Sequence, residues 1–282
     1  MKIIKQEIIS KPGEGANEDR AACAENFCWV LDGASGLGSD KILSDKSEVI
    51  WFVDNWNEYI LKVSNSKTIQ SLSSIIDQGI SDIKEKFYKY SNTAKINDLN
   101  KPSSSIAIIK LDNNTLNYFI LGDCTLLIKQ NEDIISLKDN KLDKLDKKVI
   151  DYITQKINEE NLTFKQARKK AKNLLIENRM KKNSKNGYWT LEFDNNAVEN
   201  SLRGSVKLNN NTEILLMTDG FSAITDTYNL YDKAALFHKI KKEGLIPVYE
   251  ELRKIEKSDY EAKKFPRLKV SDDASAVYCE LA

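Results

Sequence analysis

Apolar positions along this chain recur with two periods, and the switches between them mark its elements. The opening segment KIIKQEII suits a short strand, and the stretch from Ala21 to Leu31, ending in FCWVL, suits a buried one. KPGEGANED and DGASGLGSD, both rich in turn formers, lie before and after that second strand. Helical spacing then takes over at Val49, Phe52, Val53, Trp56, Tyr59, Ile60 and Val63, with Asp45 and Glu48 in capping-box spacing ahead of them. A second helix is predicted from Ile69, Leu72, Ile76, Ile80, Ile83, Phe87 and Tyr90. SSIAIIKL, LNYFILG, TLLIK and IISL follow, with DNNT and NED as turns, and predict an antiparallel meander.

The helical period returns at Leu145, Val149, Tyr152, Ile153 and Ile157, and again at Phe164, Ala167, Ala171, Leu174, Leu175 and Asn178. YWTLEF, SVKL and EILLMT predict strands, two helices are expected between Tyr231 and Lys257, and ASAVYCEL is the last strand. This order lacks the regular strand–helix alternation of a parallel sheet, so an antiparallel β core covered by helices (α+β) fits better. With no internal repeat and no Pro/Gly/Ser linker, residues 1–282 are expected to form one domain carrying a helical insertion at about 140–187.

Composition narrows the chemistry. The 43 Lys+Arg nearly cancel the 42 Asp+Glu, which argues against whole-protein adhesion to nucleic acid or an acidic membrane. A single histidine excludes sites built on two or three imidazoles, so any metal must rely on oxygen ligands. That residue, His238, lies at the margin of an apolar stripe in YDKAALFHKIKK, and nothing in the sequence orients it toward other chemistry. Cys23, Cys28, Cys124 and Cys279 form no CxxC pair and occupy apolar strand-like stretches, so buried reduced thiols are expected. MKIIKQEIIS has no continuous apolar core, and no apolar run approaches the roughly 20 residues of a membrane span. A cytoplasmic protein is the expectation.

Acidic residues recur at strand ends. Asp19 precedes the first buried strand and Asp32 follows it; Asp123 stands between two strands, Asp219 ends EILLMT, and Asp272 precedes the last strand. WVLDG, FILGD and LLMTDG share one grammar. A single Asp-Gly is ordinary turn chemistry. Carboxylates gathered at adjacent strand ends, however, would repel one another unless a cation neutralised them, and hard oxygen donors without His or Cys suit Mg²⁺ or Mn²⁺. GASGLGSDK lacks the lysine placement of a P-loop, and no GxGxxG follows a strand.

The ordered set resembles the metal-dependent protein phosphatases of type 2C, especially bacterial members. The pieces are Asn17-Glu18-Asp19, Trp29-Val30-Leu31-Asp32-Gly33, Ser103-Ser104-Ser105, Leu121-Gly122-Asp123, Leu215-Leu216-Met217-Thr218-Asp219-Gly220 and Asp272-Asp273-Ala274-Ser275. Gly187-Tyr188-Trp189-Thr190-Leu191 also looks like a segment of some bacterial relatives. The resemblance implies two antiparallel sheets flanked by helices on both outer faces (α-β-β-α). It implies a dinuclear Mn²⁺/Mg²⁺ site bridged by Asp32, with the Gly33 carbonyl adding a ligand. Asp219 and Asp272 would hold one ion, Glu18 and Asp19 would serve the other, and Asp123 would help Asp219 bind a third. Asp32, Asp219 and Asp19 are thus the candidate catalytic acids. The implied reaction is hydrolysis of phosphoserine or phosphothreonine on a protein substrate, by a hydroxide that two ions generate without a histidine base.

Two positions depart from the family pattern. Ala34 stands where many members have a His thought to protonate the leaving group, and Glu14 stands where many have a phosphate-gripping Arg. Lys11 and Arg20 are the candidate replacements for substrate capture. Nine Lys/Arg between Lys165 and Lys185, against Glu177 alone, read as a solvated helix face or a docking face for a polyanion. A catalytically inactive relative that binds metal or phosphoprotein, and a phosphatase for small metabolites, stay open as alternatives, as does the oligomeric state.

Overall fold

Alternation along the strands decides how the layers stack. In the computed structural model, which describes residues 1–37, 42–43, 47–66, 69–91 and 96–282, ten strands divide into two antiparallel sheets of five. One contains β2 (Arg20–Ala24), β3 (Phe27–Ala34), β4 (Ser103–Asp112), β5 (Thr115–Leu121) and β8 (Leu202–Lys207), in that order. The other runs β1 (Ile3–Lys11), β10 (Ala274–Leu281), β9 (Thr212–Met217), β6 (Thr125–Gln130) and β7 (Asp133–Leu137). In β3, Phe27, Trp29 and Leu31 pack with Phe52, Trp56, Ile60 and Ile75 of α1 (Glu48–Ser64) and α2 (Leu72–Tyr90). The intervening Cys28 and Val30 pack with Leu216 and Val277 of the facing sheet. That second sheet turns Leu215, Met217, Ala276 and Tyr278 outward onto α7 (Asp219–Asp226), α8 (Lys233–Glu243) and α9 (Leu245–Ser258). The layers are helix, sheet, sheet and helix, as the sequence led us to expect.

Between β7 and β8 lie α3 (Lys141–Glu160), α4 (Phe164–Lys170), α5 (Lys172–Arg179) and the short α6 (Asn196–Glu199). Val149, Ile153 and Ile157 of α3 form a separate apolar cluster with Phe164, Ala167 and Ala171, packed also on Ala262. Thr163 and Gln166 cap each other's backbone at the start of α4.

Several local expectations are revised. Residues 21–31 are not one strand but a hairpin, turned at Glu25 with φ 52°. Its register sets Cys23 opposite Cys28, with the two sulfurs at bonding distance as a disulfide, so only Cys124 and Cys279 are buried free thiols. The expected meander is split between sheets: β4 pairs with β5, β6 pairs with β7, and the chain crosses from one sheet to the other at Gly122-Asp123-Cys124. The helix expected from Phe164 to Asn178 breaks at Ala171, whose N–H contacts carbonyls of the preceding turn. YWTLEF makes only the isolated bridges Ser104–Leu191 and Lys182–Tyr188, because Phe193 leaves the sheet to pack with Phe52 and Phe87. Ile69 lies outside α2 and is exposed. Asp45, and Gly38 to Lys41 of the second loop, fall outside the described residues. Glu48 instead accepts the backbone N–H groups of Ile42 (2.6 Å) and Leu43 (3.1 Å).

Candidate functional site

The acids meet at one end of the sandwich. Pairing of Asp32 with Ser105, Ile106 with Leu121, Thr125 with Met217 and Ala276 with Met217 brings the ends of β3, β5 and β9 level with the starts of β4, β6 and β10. Asp32 projects from β3, an apolar strand buried on both faces. Gly33 must be glycine there, since a Cβ would overlap the Glu18 carbonyl and press to 2.8 Å from Val49 Cγ2. Asp123 stands at the crossing between sheets, where the Ser105 hydroxyl donates to its Oδ1 at 2.7 Å. Asp219 opens α7, and its charge there is favoured by the helix N-terminus. Thr218, the N-cap residue, donates its hydroxyl to Asp19 Oδ2 (2.8 Å) and accepts the Ser275 N–H (3.0 Å), joining β9, β10 and the Asp19 loop. Asp272 accepts the Asp273 N–H (2.8 Å) and pairs with the Lys269 ammonium (2.6 Å).

Asp273, the second acid of Asp272-Asp273-Ala274-Ser275, holds the frame together. Its two carboxylate oxygens accept the N–H groups of Gly13 and Glu18, each at 2.7 Å, which fixes the loop that carries Glu18 and Asp19. Gly220 lies against it; a side chain there would overlap the Asp273 carbonyl.

Electrostatics show how crowded this end is. Burial, then the charges of Asp219, Asp19, Asp123 and Asp272, push the Asp32 carboxyl well above the ordinary carboxylate range. Asp19 is raised by burial and by Asp272, Asp219 and Asp273, against the opposing Thr218 hydrogen bond. Burial raises Asp123, with the Ser105 hydroxyl opposing, and raises Glu18, with the Ser35 hydroxyl opposing. Asp219 is pushed up to about 7, by burial first and then by Asp272 and Asp123. Such a set of oxygen donors fits hard divalent cations, whose charge would relieve the repulsion. Among the described residues no three carboxylates bring oxygens within 4.8 Å of one another, so the side chains would have to draw inward around an ion.

A cavity of about 590 Å³ opens over these groups, lined by Glu18, Asp32, Gly33, Asp123, Asp219 and Asp272. Asp19 lies beneath it, 1% exposed. Helices α3 and α5 form its far wall. They contribute Asp146, an acid that apolar periodicity alone passes over; burial, Asp123 and Asp219 push it to about 7, and Arg179 opposes. Neither of the proposed capture residues lines this cavity. Lys11 is exposed, and the Arg20 guanidinium is spent on Asp54 (2.6 Å) and on the carbonyls of Asn17 and Asp19. Glu14 and His238 are exposed and also off the cavity.

No protein-family model matches the chain, and no curated protein matches it in sequence. Its structure is similar to that of the serine/threonine phosphatase PstP/Ppp of Mycobacterium tuberculosis, with TM-score 0.59, 13% identity and coverage of 99% of each chain. The PstP catalytic domain in complex with two manganese ions superposes at TM-score 0.58, with 13% identity over 99% of this chain and 98% of that one. Serine/threonine phosphatase Stp1 of Staphylococcus aureus does so at 0.56, with 13% identity over 100% and 98%. The chain therefore has the fold of the bacterial type 2C serine/threonine phosphatases.

Proposed function

We propose that this protein hydrolyses phosphoserine or phosphothreonine on proteins with the help of two divalent cations, Mn²⁺ or Mg²⁺. The observation that carries the reading is the gathering of Asp32, Asp123, Asp219 and Asp272 around one cavity, on this fold, with burial and the neighbouring acids raising the Asp32 carboxyl. Asp32 lies among the charges of Asp19, Asp123, Asp219 and Asp272, so it would be the central acid in holding the ions. The Gly33 carbonyl, Asp219 and Asp272 would complete the ligand set on one side, Glu18 and Asp19 on the other, and Asp123 with Asp219 would take a third, weaker ion. When bound, such ions supply a nucleophilic water near neutral pH and neutralise charge on the transferring phosphoryl group. The chain's own contribution is to hold the acids in place: Thr218 and Ser105 donate to Asp19 and Asp123, opposing the rise of their carboxyls, and Asp273 fixes the Glu18 loop.

The test is release of phosphate from p-nitrophenyl phosphate and a phosphothreonine peptide by purified protein with Mn²⁺, with loss of that activity in Asp32→Asn. Wild type that stays inactive with abundant Mn²⁺ and several phosphopeptides would sink the enzyme reading. Ala34 and Glu14 favour a second reading, a metal- or phosphoprotein-binding module without turnover. Calorimetric Mn²⁺ binding by a protein that shows no phosphatase activity would support it.

A further inference from the structure

A phosphate monoester dianion entering a ring of carboxylates would be helped by a cation of the chain beside any bound ions, and most cations at the cavity are already engaged. Lys138 is held by Asp143 (2.9 Å) and Asp226 (3.4 Å), Lys269 by Asp272 (2.6 Å), and the buried Arg267 by Asp259 (2.8 Å). Arg168 is exposed and donates to the Leu268 carbonyl at 2.7 Å, and Lys147 stands exposed at the rim on α3.

Arg179 differs from these. It makes no ion pair within 4.0 Å among the described residues. Its Nη1 donates to the carbonyl of Ala34, two residues beyond Asp32, at 3.5 Å. That places a half-buried guanidinium beside the acid cluster, with most of its donors unspent among the described residues. Arg179 ends α5, and its neighbour Asn178, buried, donates its side-chain amide to the Leu145 carbonyl of α3 at 3.0 Å, tying the two helices at this point. Its charge reaches the cavity: it acts on both Asp146 and Tyr188, which line it. A planar fork of N–H donors suits a phosphoryl group better than an ammonium does.

Resting on the phosphatase reading, we propose that Arg179 receives the phosphoryl group of the substrate, a phosphate monoester dianion, so that the helical segment supplies the cation that Glu14 does not. It makes capture of the anion a property of α5, not of the loop before Asp19.

The test compares wild type, Arg179→Ala, Arg179→Lys and, as a control, Lys148→Ala, an exposed α3 residue away from the cavity. Steady-state kinetics with Mn²⁺ are measured on p-nitrophenyl phosphate and a phosphothreonine peptide, with inorganic phosphate as competitive inhibitor. Binding of Mn²⁺ and of inorganic phosphate to the Mn²⁺-loaded protein is followed by calorimetry. Arg179→Ala should raise KM on both substrates and the inhibition constant of phosphate by about 10- to 100-fold, more than it lowers kcat. Arg179→Lys should recover part of the loss, Mn²⁺ affinity and melting temperature should hold, and Lys148→Ala should match wild type. Unchanged KM and phosphate inhibition in Arg179→Ala, or loss of Mn²⁺ binding together with them, overturns the assignment. If wild type shows no turnover, the enzyme reading fails separately, and phosphate calorimetry still decides: binding by wild type but not by Arg179→Ala upholds Arg179, and equal binding or none overturns it.

Discussion

Removing divalent ions should invert the usual acid response of this protein's stability. Asp219 has a carboxyl pushed from the ordinary 3.8 to about 7, and Asp146 is raised likewise from 3.8 to about 7. Each folded-state group keeps its proton to a higher pH than the unfolded chain does. Its stabilising effect is therefore complete below 3.8 and is lost as pH rises through about 7. Lowering the pH of chelated protein from 8 to 5.5 crosses about 1.5 pH units of that window, worth about 2 kcal/mol per group at 1.36 kcal/mol per unit. Both side chains partly reach the cavity, so screening reduces the pair to a total of about 2 kcal/mol. In a chain of this size that is a rise in melting temperature of roughly 4–8 °C. Asp259 and Glu213, whose carboxyls are held below their usual 3.8 and 4.5, lose their contribution only at lower pH and do not offset it here.

Differential scanning fluorimetry in EDTA between pH 8 and 5.5 reads this directly. Asp219→Asn should melt higher than wild type at pH 8 in EDTA and show a shallower pH slope, while Mn²⁺ should stabilise wild type more than the variant. A chelated wild type that melts lower at pH 5.5 than at pH 8, or an Asp219→Asn that is the less stable protein in EDTA, would refute the electrostatic account.

Two other variants probe the frame around the acids. Asp273→Ala strands the N–H groups of Gly13 and Glu18 and should cost about 2–3 kcal/mol. It should also raise the Mn²⁺ concentration needed for half-maximal stabilisation in a melting titration; an unchanged titration would remove Asp273 from the frame. Gly220→Ala drives a methyl group into the Asp273 carbonyl and should destabilise by about 1–3 kcal/mol, with most Mn²⁺-dependent turnover lost. Wild-type melting and turnover in that variant would show that the contact yields without consequence.

The layered architecture was legible because burial enforces alternation: Phe27, Trp29 and Leu31 had to face one side and Cys28 and Val30 the other, whatever the topology. Which strands share a sheet was not legible. TLLIK follows LNYFILG so closely that pairing is the local expectation, yet Gly122-Asp123-Cys124 carries the chain to the other sheet. Cys23 and Cys28 looked scattered because a hairpin at Glu25 is needed to set them opposite each other. The acids at strand ends could be read from motif order. Asp146, Arg179 and the engagement of Arg20 with Asp54 could not, since each depends on where a helix docks rather than on any spacing in the chain.

The hydrogen bonds that knit the acid cluster also set the order of its assembly. Thr218 reaches Asp19 across 199 positions, and Asp273 reaches Gly13 across 260. β10 lies between β1 and β9 in the interior of its sheet, so β1 has no sheet partner until β10 has been made. Loop closure over such separations comes late in folding. During synthesis the emerging chain thus carries its acids dispersed, each in its own segment. The loop that carries Glu18 and Asp19 is seated only when Asp272 and Asp273 arrive, so a chain broken off before them holds almost all of the sequence and an incomplete site.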